Sequence, residues 1–517
     1  MRARTPVSKT TAPAAPPGRR QSWAMAVKRP YGSFSIEEGT LLIRSRAQRL
    51  AAPFQSSTVR YGFMLSFGLL FVCLYGLSPF RGDMVPLDIE SQWTPHLLPG
   101  DNPYFKTGSV SAHNDEVSAR LDRCASLGML RETANPNSLP ELGLHEEGRY
   151  TAEGCGVRQT TVILLSSLWF TEAYQGSSTT GEGIWAQSVL SALNYHGYSY
   201  MFSSMGWYNN DMNKTIEIWD KHKKNIRLVL ADAEQVDTCW NGEKQPCRKT
   251  ATNPGGIEVW RLLSFWYWDN PRGPLGAPFT LSPFPRNDNH FISLSIEPTC
   301  HRYPHIAPSS RPKPPQAYLL AKQVHYLEDS PEFAWTIPAL ANLNSSLGIS
   351  VVGGMVNDDG DTAAAVEAAG LKNLGQLGKI DFYKELARSF VLIGVGRPKI
   401  SPSPWDALCM GVPFINPILE WDENDPEDRS KWVAQSWHMT DLHPPYVYSV
   451  KARDMNGLQE AVHAALTHPI KSYIPDNMSF RFVTERLHDL VEGDWRGKAQ
   501  AILIERLHSG WGEMFVL

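Results

Sequence analysis

The chain has 517 residues, 42% of them hydrophobic and 20% charged, and a formal net charge of −4. This composition excludes a wholly disordered chain, a collagen-like fibre and a disulfide-dense miniprotein, and the charge balance speaks against a basic nucleic-acid binder. The length allows two or three domains with sizeable cores. Charge is unevenly spread: residues 1–60 carry eleven Lys/Arg against Glu37 and Glu38, a balance of +9, which leaves −13 on the other 457 residues.

Residues 1–58 are rich in Pro, Ala, Ser and Arg and are expected to form a disordered cytosolic tail. Tyr61–Ser78 follows without a single charge. At 1.5 Å per residue it reaches roughly 27 Å, close to a bilayer core, so 59–79 is read as a transmembrane helix. Arg44, Arg46, Arg49 and Arg60 precede it, which orients the chain as a type II membrane protein with its body across the membrane. Cys73 lies in this segment, and the other six cysteines all follow it, an even count that suits an oxidising lumen. Cys239 and Cys247 are expected to form a local bridge; the remaining connectivity is left open. Asn213, Asn344 and Asn477 open glycosylation sequons that are meaningful only in a lumenal body. Residues 80–157 have many Pro, Gly and Asn and no sustained period, and are read as a lumenal stem.

From residue 158 strands and helices alternate. Thr161–Phe170 reads as a buried strand and Gly181–His196 as a helix, with Trp185, Val189, Ala192, Leu193 and His196 on one face and Gly197 at its end. Tyr198–Ser203 and Ile226–Ala231 are further strands, separated by a helix at Lys214–Lys224. Residues 270–315 read as a Pro/Gly-rich loop. A second run follows, with strands at Ala317–Lys322, Ile349–Met355, Phe390–Gly394, Val412–Asn416 and Tyr446–Val450. Its helices are expected at Pro331–Leu347, Asp361–Ala369, Ile380–Arg388 and Trp405–Met410. The fold class is therefore α/β with two Rossmann-like domains in tandem, 158–315 and 316–480, facing each other across a cleft. Residues 481–517 are expected to form C-terminal helices that pack back toward the first domain.

Phe390–Pro417 carries the densest signal. A strand ends at Gly394-Val395-Gly396, where two glycines would let backbone approach a ligand. Ser403-Pro404-Trp405-Asp406 then opens a helix, with Ser as N-cap and Pro at the first helical position. Its free N–H groups suit a pyrophosphate. Asp406 either closes a capping box with Ser403 or binds a ribose. Glu182 opens the first-domain helix after a Gly/Ser/Thr-rich loop; it is either a general base or a partner of the helix dipole. Asn357–Asp361 contains an Asp-x-Asp that could hold a divalent cation, but it reads better as an acidic turn before a helix.

These residues resemble glycosyltransferase family 18, the N-acetylglucosaminyltransferase V-like family. The similarity lies in Gly394-Val395-Gly396, Ser403-Pro404-Trp405-Asp406-Ala407 and Met410-Gly411. It extends to Asn373-Leu374-Gly375-Gln376-Leu377 upstream and Pro445–Val450 downstream, and Gly181-Glu182-Gly183 matches the first domain. The resemblance implies a GT-B fold and an inverting enzyme with no metal or other cofactor. It implies transfer of GlcNAc from UDP-GlcNAc to O6 of a mannose on glycoprotein N-glycans, in the Golgi. Glu182 would be the catalytic base. Gly375, Gly394, Gly396, Ser403, Pro404 and Asp406 would bind the donor, with Arg429 or Lys431 as the donor-side cation. The alternatives are another GT-B transferase, such as a fucosyltransferase using a GDP-sugar, and a non-catalytic membrane-tethered glycan-binding protein.

Overall fold

Parallel strands buried on both faces need near-continuous apolar runs, and the sequence supplies them in two groups. The computed structural model describes residues 103–130 and 151–517, apart from 152, 179, 205–211, 242–246, 269 and 271. The expected tail 1–58, the membrane helix 59–79 and Cys73 lie outside the described residues. Among the described residues no helix is long and apolar enough to cross a membrane.

The first group builds a six-stranded sheet: β1 (Val162–Leu165), β2 (Ser199–Phe202), β3 (Ile226–Asp232), β4 (Leu262–Phe265), β5 (Thr280–Ser282) and β6 (His290–Phe291). Its order is β2-β1-β3-β4-β5-β6, every pair parallel. The second group adds β7 (Gln316–Leu320), β8 (Ser350–Gly353), β9 (Lys372–Asn373), β10 (Val391–Gly394), β11 (Phe414–Glu420), β12 (Val433–Ala434) and β13 (Val447–Lys451). Here β9, β8, β7, β10, β11 and β13 lie side by side and parallel, and β12 runs antiparallel to the end of β11. In chain rank that order is 3-2-1-4-5-6, the dinucleotide-binding arrangement, with its reversal between β7 and β10. In the first sheet the reversal falls between β1 and β3. Ligand crevices of open α/β sheets lie at such reversals, beyond the carboxyl ends of the strands.

Apolar packing does not stop at either sheet. One core runs from Ile163, Leu230 and Phe265 in the first sheet to Leu320, Leu392, Trp405 and Phe414 on one face of the second. The C-terminal helix Phe480–Glu492 packs against the helix Gly181–His196, where the Thr484 carbonyl meets His196 Nε2 at 2.8 Å. Buried Arg227 donates to the carbonyls of Val491 and Gly493, both at 3.0 Å.

Several expectations are corrected. The segment 80–157 is not wholly a spacer, because Val110–Ser126 is a helix whose Val117, Leu121 and Cys124 are buried at i, i+4 and i+7. Its Asn114 side chain pairs with both the N–H and C=O of Phe202, covering the edge of β2. The strand expected at Thr161–Phe170 ends at Leu165, and Leu168–Gln175 is a helix. The Ser167 hydroxyl donates to Asp232 at 2.6 Å and the Leu168 N–H donates to the same carboxylate at 3.1 Å, so the chain turns there. The loop expected at 270–315 contains β5, β6 and the helix Glu297–Arg302.

Cys239 and Cys247 are bridged, as are Cys124–Cys155 and Cys300–Cys409. Asn213 and Asn344 are exposed, whereas Asn477 is half-buried and its carbonyl accepts from Ser293. Glycosidase treatment of protein made in secretory cells is expected to lower its apparent mass, and alkylation without reduction to leave the six bridged cysteines unmodified. An unshifted band with all these thiols reactive would place the body in the cytosol.

Candidate functional site

The helix Gly181–His196 begins at the carboxyl end of the first sheet, in the connection from β1 to β2. The Thr180 hydroxyl caps it by accepting from the Gly183 N–H at 3.1 Å, and Gly197 ends it with φ +70°. Glu182 sits half-buried in its first turn. The preceding Gly181 is required by packing, since a Cβ there would lie 2.4 Å from the Tyr267 hydroxyl and 3.1 Å from Pro402 Cδ. Pro402 immediately precedes the helix Ser403–Cys409 of the second sheet. The structure therefore brings the start of the Glu182 helix against the start of the Asp406 helix, although Gly181 and Pro402 are 221 positions apart in the chain.

The second-sheet side differs in detail from the sequence reading. Pro402, not Ser403, occupies the cap position, and Ser403 and Pro404 are the first two helical residues. The Ser403 hydroxyl accepts from Ser401 Oγ at 3.1 Å. No capping box forms, because the Asp406 carboxyl is turned inward. It is 1% exposed and accepts from the Tyr383 hydroxyl at 3.1 Å, with Thr299 as a further hydrogen-bond partner. Burial pushes its pKa up to about 7, against the pull of those two hydroxyls and of the nearby Lys379 ammonium.

The glycines are likewise spoken for by protein. A Cβ on Gly394 would lie 2.4 Å from Gln435 Oε1 and 2.6 Å from Pro417 Cδ. Gly396 has φ +106°, and its N–H donates to Gln435 Oε1 at 2.8 Å. These glycines admit packing partners rather than leaving backbone open to a ligand. Gly375, with φ +70° and open space where a Cβ would be, terminates the β9 connection, and its N–H donates to Asn373 Oδ1 at 3.0 Å.

Of the two expected cations, Arg429 donates to the Thr440 carbonyl at 2.6 Å and lies 3.2 Å from His443 Nδ1, and Lys431 is exposed. Lys379, which the sequence reading passed over, is the ammonium that interacts with Asp406. Burial lowers its pKa, Asp406 opposes that shift, and Arg302 reinforces it. Tyr267, Tyr383 and Thr299 were also missed. Tyr267 had a faint signal, an aromatic triplet just past the carboxyl end of β4; Tyr383 and Thr299 had none. Asp359 of the Asp-x-Asp turn caps the helix Gly360–Ala368, accepting from the Thr362 N–H at 2.6 Å.

Residues 279–500 match the sequence profile of glycosyltransferase family 18. Human alpha-1,6-mannosylglycoprotein 6-beta-N-acetylglucosaminyltransferase A is 24% identical over 132 residues, which are 24% of this chain and 18% of that protein. The alignment thus spans less than a fifth of that relative's length. These findings bear out the resemblance read from the sequence. Among solved structures, UDP-GlcNAc 2-epimerase from Methanocaldococcus jannaschii aligns with 64% of this chain and 99% of its own, at 10% identity and a TM-score of 0.35. A glycosyltransferase involved in avilamycin A biosynthesis aligns with 68% of this chain and 98% of its own, at 10% identity and a TM-score of 0.36.

Proposed function

We propose that this chain, whose residues 279–500 match glycosyltransferase family 18, is an inverting GT-B glycosyltransferase acting on glycoprotein glycans. Its donor is UDP-GlcNAc, its acceptor atom is a mannose O6 of an N-glycan, and it uses no metal. It works from the lumenal side of the Golgi membrane, held there by the N-terminal span. The observation that supports this reading is the meeting of the first turn of the Glu182 helix, at Gly181, with Pro402 at the start of the Ser403–Cys409 helix.

In this reading the acceptor hydroxyl attacks the anomeric carbon of the donor. Glu182 takes the hydroxyl proton as that bond forms, and UDP departs on the opposite face toward the Ser401–Ser403 turn that opens the Asp406 helix. General-base assistance of this kind contributes roughly 10²–10⁴-fold. Lys379 contributes positive charge next to Asp406 on the leaving-group side. Charge stabilisation by fixed groups of this type is often the largest single contribution to catalysis.

The test is a donor screen on the purified full-length chain with a mannose-terminated N-glycan, with and without EDTA. Acceptor-dependent UDP release is expected from UDP-GlcNAc and is expected to survive chelation. The Asp359→Ala/Asp361→Ala variant should keep its rate and lose only the modest stability of a helix cap. Turnover of GDP-fucose alone would favour the fucosyltransferase reading. Absence of acceptor-dependent release with every nucleotide sugar would leave a glycan-binding protein, and activity restored by Mn²⁺ after EDTA would move the site to the Asp-x-Asp turn.

A further inference from the structure

Tyr267 lies two residues beyond β4, at the carboxyl side of the first sheet, and is 6% exposed. Its hydroxyl donates to the Ile400 carbonyl at 3.0 Å. Ile400 has φ +56°, a left-handed conformation that a β-branched residue holds only when its surroundings impose it. Two bonds do so: the Tyr267 hydroxyl on its carbonyl, and the Gln435 carbonyl accepting from its N–H at 3.3 Å. The phenol also occupies the space that a side chain on Gly181 would need. Trp185 and Phe284 hold its ring edge-on, at centroid distances of 6.3 and 6.0 Å. Burial, reinforced by Glu182 and Asp406, holds the pKa of this hydroxyl well above the ordinary tyrosine value.

One hydroxyl thus fills the space beside the residue before Glu182 and bonds the strained residue three positions before Ser403. We propose that Tyr267 is a positioning residue that fixes the Glu182 turn against the Ile400–Ser403 loop, so that base and donor meet at a single separation. The proposal rests on the transferase reading above. It predicts a defect in the reaction step rather than in the binding of either substrate.

The test is Tyr267→Phe in the full-length chain, which removes the hydroxyl and keeps the ring. Loss of one neutral hydrogen bond of this kind is expected to lower kcat roughly tenfold, with KM for donor and acceptor nearly unchanged. Residues that act as one unit are non-additive, so Tyr267→Phe should have almost no further effect in a Glu182→Gln background. Amide hydrogen exchange supplies a readout independent of turnover: it should quicken at both 181–186 and 398–403 and stay constant elsewhere. Gly181→Ala, which crowds the same hydroxyl from the other side, should give the same signature if Tyr267→Phe does not fold. Losses that multiply in the double variant, or faster exchange confined to one of the two segments, would overturn the proposal. A parent protein without transferase activity would instead defeat the functional reading, while the exchange pattern would still decide whether Tyr267 couples the two segments.

Discussion

Glu182→Gln is expected to reduce sugar transfer by roughly 10²–10⁴-fold, the range for loss of one positioned acid–base group, while UDP binds as before. Glutamine keeps the size and most of the hydrogen bonding of glutamate but cannot accept a proton. The competing role, a carboxylate complementing the helix dipole, is worth only about 0.3–1 kcal/mol. Thr180 already supplies the side-chain cap of this helix, which further limits that role. Single-turnover transfer assays alongside UDP titrations separate the two. Near-normal turnover with a slightly lowered melting temperature would remove Glu182 from the chemistry and leave the fold untouched.

Asp406→Asn should reshape the dependence of stability on pH. The folded-state pKa of Asp406 is raised from 3.8 to about 7 by burial. The folded protein therefore binds this proton more tightly than the unfolded chain does. Its favourable contribution is complete below about pH 4 and is lost as pH rises through about 7. One pKa unit corresponds to about 1.4 kcal/mol, so the swing reaches at most about 4 kcal/mol. Asparagine does not titrate and can still accept from Tyr383. The variant should therefore gain on the parent between pH 4 and pH 8, by up to that amount, in denaturant melts. Asp232, raised to about 6, titrates in the same direction in both proteins and cancels in the comparison. Parallel stability curves for the two proteins would mean that Asp406 stays ionised, as a partner of Lys379. Asp406→Ala removes an enclosed acceptor shared by Tyr383, Thr299 and Lys379, so stability should suffer before donor binding does.

Much of the frame was legible because local patterns and tertiary burial agree. Leu228–Ala231 within β3 and Val391–Gly394 are unbroken apolar runs, and parallel strands buried on both faces need just that. The helix Gly181–His196 shows its 3.6 period and its terminating glycine in sequence. Where reading failed, the deciding partner was remote. The break after Leu165 depends on Asp232, 65 residues from Ser167. Strands β5 and β6 are three and two residues long, too short to show a period. The place of Glu182 in the first turn of its helix was legible from the sequence. Tyr267, Lys379, Tyr383 and Thr299 were not, because each matters only through neighbours more than twenty residues away. The Ser403 cap was misassigned because the Ser-x-x-Asp spacing satisfies a local rule, whereas the enclosed Tyr383 and Thr299 hydroxyls draw the carboxylate elsewhere.

The three disulfides also imply an order of events during synthesis. Cys124 and Cys155 are 31 residues apart and Cys239 and Cys247 only eight, whereas Cys300 waits 109 residues for Cys409. In the lumenal placement proposed above, where the cysteines enter an oxidising compartment in chain order, each early pair is completed before the next cysteine arrives. Cys300 then appears with its four predecessors already joined, and no rival thiol emerges between it and Cys409. Six cysteines that could pair in fifteen ways are reduced to one outcome by order of appearance alone. The last closure can occur only after β7, β8, β9 and β10 have been made, so the Asp406 helix is sealed to the helix Glu297–Arg302 only once most of the second sheet's chain exists.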